Sequence, residues 1–186
     1  MAGIDPETGI WPLHIAKKRH KIDYVLAAAI STYYDIPNRA ADFGCGFGHY
    51  CKVLNFYGWQ VIDGYEGTEG MGPYKVWPWI YRIDLSKPVE FISYDFVLCL
   101  EVGEHIPQKH EQVFLDNVAK ATGRDLVMSW AVPNQRGTGH INCQTNDYII
   151  EQMWNKGLRF QKRMTRRLRY YTTLKYFKNT LMVFKR

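Results

Sequence analysis

The segment from Ala41 to His49, ADFGCGFGH, constrains this chain more than any other. An acidic residue, Asp42, closes a short apolar run, and Gly44, Gly46 and Gly48 follow at alternate positions. A strand that ends on such a loop and re-enters as a helix brings bare backbone up to a nucleotide-like ligand. Glycine accepts positive φ and has no Cβ to hold the ligand away. A pyrophosphate-binding loop spaces its glycines GxGxxG and seats phosphate on the next helix N-terminus. Here the spacing is GxGxG and a carboxylate precedes it, an arrangement that repels pyrophosphate and suits a cation. Glu66 lies about 20 residues beyond the loop, the distance at which an acidic residue meets a ribose diol in doubly wound folds. A ligand with a ribose, a positive charge and no phosphate meets these requirements, and S-adenosylmethionine, with its sulfonium and α-ammonium, is one.

The flanking pattern reads as an α/β domain. Gly and Pro in the first dozen residues suggest a loose arm, residues 1–13. From His14 to Tyr34, Ile15, Ile22, Val25, Leu26 and Ala29 recur at helical spacing. Strands are expected over Arg39–Phe43, Gln60–Tyr65, a stretch before Asp84, Phe96–Glu101, Asp125–Trp130 and Thr180–Phe184. Helices are expected over Gly48–Tyr57, Gln108–Thr122 (closed by Gly123) and Asn146–Lys156 (with Asn146 as N-cap). Leu158–Lys162 and Leu168–Thr173 both read as strands. Gly67–Trp79 has no period and reads as an irregular loop, with Met71, Tyr74, Trp77 and Trp79 either an aromatic patch of core or a wall of the ligand cleft.

At these residues the chain resembles the class I S-adenosylmethionine-dependent methyltransferases. ADFGCGFGH with Glu66 looks like their first two cofactor motifs. Ile83-Asp84-Leu85 is similar to the segment whose acidic residue meets the adenine amino group. Tyr94 to Pro107, YDFVLCLEVGEHIP, resembles the fourth strand and its turn, and KYFKNTLMVFKR resembles the last strand. The resemblance covers Ala40 to Arg186. It implies a doubly wound, Rossmann-like mixed seven-stranded sheet with helices on both faces and an antiparallel last strand, built as one domain over residues 14–186. It implies S-adenosyl-L-methionine held by Asp42, Gly44, Cys45, Gly46, Gly48, Glu66, Asp84, Leu85 and Glu101.

Two loops that leave the carboxyl ends of strands hold most of the reactive side chains. One carries Glu101, Glu104 and His105; the other, Pro133 to Asn142, carries His140. Two carboxylates and two imidazoles form a feasible divalent-metal set. E-x-x-E-H with a later His is similar to the metal site of small-RNA 3′-terminal ribose 2′-O-methyltransferases, where the four side chains bind Mg2+ or Mn2+. EVGEHIP equally resembles the fourth-strand turn of methyltransferases that use no metal. There His105 or His140 would serve as base, oriented by Glu104 or Glu101. VPNQRGTGHIN and the helix after it look like compact methyltransferases of glycan and phage gene sets, which implies a small-molecule or glycan acceptor receiving the methyl on oxygen or nitrogen. RNA methylation and an inactive cofactor-binding subunit are the alternatives.

Composition narrows the class further. The 186 residues are enough for one domain with a real core. Cys45, Cys51, Cys99 and Cys143 show no CxxC pairing, which argues against a zinc ribbon and favours reduced thiols in a cytoplasmic setting. No membrane-length apolar run and no signal peptide are visible. The net charge is +6, and two clusters hold much of the basic charge, Lys17–Lys21 and Arg159–Arg169 with Lys162, Arg163, Arg166 and Arg167, which read either as solvated faces or as a weak nucleic-acid surface.

Overall fold

The computed structural model describes residues 3–186. In chain order the elements are α1 (Leu13–Arg19), α2 (Tyr24–Tyr33), β1 (Ala40–Phe43), α3 (His49–Phe56), β2 (Ile62–Glu66), β3 (Ile80–Arg82), β4 (Tyr94–Cys99), α4 (Glu111–Ala121), β5 (Thr122–Ser129), α5 (Asn146–Asn155), β6 (Arg159–Phe160), α6 (Lys162–Tyr171), α7 (Phe177–Thr180) and β7 (Leu181–Lys185). The strands form one sheet in the order β3-β2-β1-β4-β5-β7-β6. β1 to β5 run parallel, and β7 is antiparallel to both β5 and β6. This is the mixed seven-stranded, doubly wound sheet that the sequence implied.

Two apolar layers cover the sheet. On one face Leu26 and Ile30 of α2, Cys51 and Leu54 of α3, and Leu168 of α6 pack with Trp59, Phe96 and Val183. On the other, Phe114 and Val118 of α4 and Ile149 and Met153 of α5 pack with Phe43, Val97 and Phe184. β4 is buried at nearly every position, as a central parallel strand covered on both faces must be.

Local chemistry explains where the elements depart from expectation. The helical pattern of His14–Tyr34 is split in two. Asp23 is fully buried and caps α2, its carboxylate accepting from Leu26 N at 2.9 Å, and its other oxygen accepts from Thr173 N and Leu174 N. The cap requires extended backbone at Asp23, so α1 cannot run on into α2. Gly123 does not close α4; Thr122 does, its hydroxyl donating to Val118 O at 2.8 Å, and β5 begins without a loop. Thr145, not Asn146, caps α5, its hydroxyl accepting from Tyr148 N. Leu168–Thr173 is not a strand: Met164, Thr165 and Leu168 lie inward on α6 while Lys162, Arg163, Arg166 and Arg167 face out. Of the stretch Leu158–Lys162, Arg159 and Phe160 form strand pairs with β7, and Gln161 N bonds Val183 O at 2.8 Å.

Residues 4–12 are not a loose arm. Gly9 is buried against the backbone carbonyl of His105, where a Cβ would stand 2.0 Å from the oxygen, and Ile10 packs on Gly67. Within Gly67–Trp79, Met71 and Trp77 are buried in the core whereas Tyr74 and Trp79 face outward. Only Gly67 of that loop reaches the cleft described below. Among the described residues no helix is long and apolar enough to cross a membrane.

Candidate active site

The strand order reverses between β1 and β4, and the crevice outside their carboxyl ends is where open α/β sheets take ligands. A cavity of about 420 Å³ opens there, within the range for small-molecule sites. Asp42, Gly44, Cys45 and Gly46 from β1 and its loop, Glu66 from the end of β2 and Leu85 after β3 line one half. Glu101, His105 and His140 line the other.

The glycine loop is shaped by Glu66. Its carboxylate accepts from Gly46 N at 3.0 Å through one oxygen and from Thr68 N and Oγ1 at 3.0 Å through the other. A carboxylate offers about four acceptor sites, and with three filled one remains for a ribose hydroxyl. Gly46 has φ +56°, and a Cβ there would stand 2.3 Å from His20 Nδ1, so only glycine fits beneath that ring. Asp42 is buried with its Oδ2 bonded only to Cys51 Sγ at 3.6 Å. Burial, aided by the Glu66 charge, lifts its pKa to about 8 against the pull of the Cys51 thiol. A carboxyl so poor in counter-charge favours a cationic ligand, and S-adenosylmethionine fits this half of the cleft.

Two expected cofactor residues sit elsewhere. Gly48 enters α3 against Trp77 and does not line the cavity. Asp84 turns back on its own loop: its Oδ1 accepts from Ser86 N and Oγ, and Lys87 Nζ lies 3.0 Å from Oδ2. Burial opposes its ionisation, but the Ser86 bonds and the Lys87 ammonium outweigh it and hold its pKa below the usual carboxylate value. Its neighbours Ile83 and Leu85 face the cavity instead.

The acidic and imidazole cluster is assembled, with one change. Glu104, His105 and His140 each offer a ligand atom, all within 4.8 Å of one another. Glu101 is outside that set. It has φ +54°, and its carboxylate accepts from Gln135 Nε2 at 3.0 Å and Thr180 Oγ1 at 3.3 Å. Glu104 is wholly buried and neither carboxylate oxygen has a hydrogen-bond partner. Burial, then the neighbouring Glu101 charge, raises its pKa well above the usual range, and burial also raises that of Glu101. Both imidazoles are oriented through Nδ1. His105 Nδ1 is 2.9 Å from Gly139 O, and His140 Nδ1 is 3.0 Å from Gln135 O. A carbonyl can only accept, so each Nδ1 carries a proton, and in the neutral ring the lone pair is left on Nε2. Burial lowers the pKa of His105 to about 4, so it stays neutral near pH 7.

The sequence reading missed Trp11 and His20. Trp11 stacks on His20 with ring centroids 5.4 Å apart and meets His105 edge-on at 4.8 Å, joining the two halves of the cleft. Trp11 Nε1 and His20 Nδ1 are both buried without a partner. No motif marks either residue; only the packing of residues 9–11 onto the cleft places them. Tyr176 and Phe177 complete the lining from the far end of the chain.

No protein-family model matches the sequence, and no curated protein matches it. Solved structures do. The chain is similar to magnesium protoporphyrin IX methyltransferase (ChlM) from Synechocystis PCC 6803 with bound S-adenosylhomocysteine, at a TM-score of 0.65 and 18% identity over 87% of this chain and 80% of that one. It is similar to an S-adenosylmethionine-dependent methyltransferase from Mesorhizobium loti, at 0.60 and 15% identity over 86% of this chain and 96% of that one. It is also similar to the [4+2]-cyclase SpnF, at 0.60 and 12% identity over 88% and 79%. With the strand order, the antiparallel β7 and the placement of the glycine loop, these likenesses show that the chain has the class I S-adenosylmethionine-dependent methyltransferase fold.

Proposed function

We propose that this chain transfers a methyl group from S-adenosylmethionine to an oxygen or nitrogen of a small-molecule or glycan acceptor. One observation carries the reading. The cation-seeking half of the cleft, around Asp42 and Glu66, shares one cavity with Glu101, His105 and His140, and Glu104 is buried within 4.8 Å of the two imidazoles. The titratable groups that could move a proton therefore stand in the cleft where a sulfonium would lie.

When bound, S-adenosylmethionine supplies an electrophilic methyl group on a sulfonium leaving group. The chain's part is alignment, water exclusion and proton removal. Asp42 and the backbone of Gly44 and Gly46 hold the cationic end, and Glu66 takes a ribose hydroxyl on its remaining acceptor site. His105 Nε2, unprotonated and turned away from Gly139, accepts the acceptor's proton. Trp11 and Ile10 cover the cleft from the N-terminal side and keep water from the reacting pair. That cover also supports a small acceptor or a chain end over a base held in a folded nucleic acid.

The same residues fit a divalent cation, Mg2+ or Mn2+. Two unpartnered Glu104 oxygens and two Nε2 lone pairs, each backed by an Nδ1–H bonded to a carbonyl, are how metal-binding side chains are prepared. Glu104, His105 and His140 would hold the ion, with Glu101 beside them; when bound it would lower the pKa of an acceptor hydroxyl.

The test is incubation with methyl-labelled S-adenosylmethionine and, separately, a metabolite extract, polysaccharide and total RNA. Label in a small molecule or polysaccharide is the expected result. Label confined to RNA would replace this reading with RNA methylation. Tight cofactor binding with no label anywhere would leave a cofactor-binding subunit.

A further inference from the structure

Basic charge is segregated along this chain. Residues 152–186 carry eleven of the 24 lysines and arginines and none of the 18 acidic residues, so the first 151 residues are net negative. Much of the excess lies on one surface. On α6, Lys162, Arg163, Arg166, Arg167, Tyr170 and Tyr171 are exposed, while Thr165 and Leu168 are buried beneath them. Arg163, Arg166 and Arg167 are three and four residues apart, neighbours on a helix face. None of the exposed α6 cations forms an ion pair among the described residues. α2, packed alongside, has no acidic residue between Tyr24 and Tyr33.

Aromatic rings are interleaved with the charge. The Arg167 guanidinium lies 4.8 Å from the ring centroid of Tyr33, whose hydroxyl bonds that of Tyr171 at 2.9 Å. Tyr170 is 80% exposed, its ring set edge-on to Tyr171. We infer that this α6 face binds single-stranded nucleic acid, its arginines on phosphates and Tyr170 against a base. Positive charge for phosphates with exposed rings for bases is the combination such strands require. A bilayer fits less well, because the apolar side of α6 is spent on the protein core and the exposed rings are tyrosines. The inference does not depend on methyl transfer.

The test uses the full chain without S-adenosylmethionine and a fluorescein-labelled single-stranded RNA 12-mer. Anisotropy is followed against salt, with base-free polyphosphate of equal charge as the comparison. We expect binding at low salt that weakens steeply as salt rises. Arg163→Gln/Arg166→Gln/Arg167→Gln should lower the log–log salt slope by about 2, at roughly 0.7 per lost single-strand contact. The charge-matched variant Arg39→Gln/Lys52→Gln/Lys120→Gln, on other surfaces, should leave the slope in place. Tyr170→Ala should weaken RNA binding several-fold without changing polyphosphate binding. The altered side chains are exposed, and thermal melts of each variant verify folding. No RNA binding at low salt would overturn the assignment. So would equal losses in the two triple variants, or a Tyr170→Ala variant that binds RNA like wild type.

Discussion

His140 and Glu104 face each other across a gap of 3.9 Å, Nε2 to Oε1. That is too wide for a hydrogen bond and wide enough for one bridging atom. Glu104 is a buried carboxyl, and neither of its oxygens has a hydrogen-bond partner. Its pKa is raised, so the folded chain keeps this proton to higher pH than the unfolded chain does. Above the ordinary carboxyl pKa, the unfolded state binds fewer protons than the folded state, and stability falls as pH rises. Glu104→Gln removes that titration. Melting temperatures between pH 5 and pH 8 should fall more in wild type than in the variant. Mn2+ should stabilise wild type and not Glu104→Gln if the gap takes a cation. Parallel pH curves for the two proteins would show that Glu104 carries no such cost.

The two histidines should be separable by pH and by chelation. His140→Ala and His105→Ala are each expected to lower turnover about 10²-fold or more, the scale of a lost base or ligand. His105 remains neutral down to about pH 4, so a rate that depends on it as base stays flat through mildly acidic pH. EDTA that abolishes activity, with Mn2+ or Mg2+ restoring it, would assign the cluster to a metal; indifference to EDTA would assign it to a base. Near-wild-type turnover in both alanine variants would make the cluster structural.

Asp42 gives a pH signature for cofactor binding. Its pKa of about 8 in the free cleft reflects burial, opposed by the Cys51 thiol and aided by the Glu66 charge. A permanent sulfonium favours the ionised carboxylate, so binding releases a proton and affinity rises with pH until the free group is already ionised. Calorimetry should show S-adenosylmethionine binding more tightly at pH 8 than at pH 6, and Asp42→Asn should flatten that dependence. A pH-independent affinity in wild type would remove Asp42 from contact with the charge.

Glu66→Ala should weaken cofactor binding by about 1–3 kcal/mol, the cost of unpaired hydroxyls and of lost loop hydrogen bonds. The loss should appear in Kd and in hydrogen exchange at Gly46, because the same carboxylate holds that amide. A change in exchange with no change in Kd would make Glu66 a support of the loop only.

What the sequence disclosed divides along physical lines. The glycine loop and Glu66 were legible because a backbone that must approach a ligand leaves few residue choices. β4 was legible because burial on both faces demands an unbroken apolar run. The split between α1 and α2 was not, since Ile15, Ile22 and Leu26 keep their period across it and only the distant amides of Thr173 and Leu174 explain why Asp23 is buried. α6 was misread because a helix covered by arginines looks alike at either period until its inward side is known. Asp84 showed its type and spacing but not its rotation toward Ser86 and Lys87.

Trp11 and His20 escaped for a related reason: long-range packing, not local pattern, brings them to the cleft. Their positions predict different kinetic effects. His20 lies over Gly46, on the cofactor side, with a buried Nδ1 that has no partner. His20 also lines the cavity, so its ring forms part of the wall on that side. His20→Ala should therefore weaken S-adenosylmethionine binding about tenfold or more. Trp11 leans on His105, toward the acceptor side. Trp11→Ala should raise the acceptor KM through the lost contact with His105 and, because the same ring stacks on His20, weaken the cofactor Kd by less than His20→Ala does. Calorimetry for the cofactor and steady-state kinetics for the acceptor make the comparison. If His20→Ala binds cofactor like wild type and Trp11→Ala is kinetically silent, residues 9–20 cover the sheet and take no part in the site.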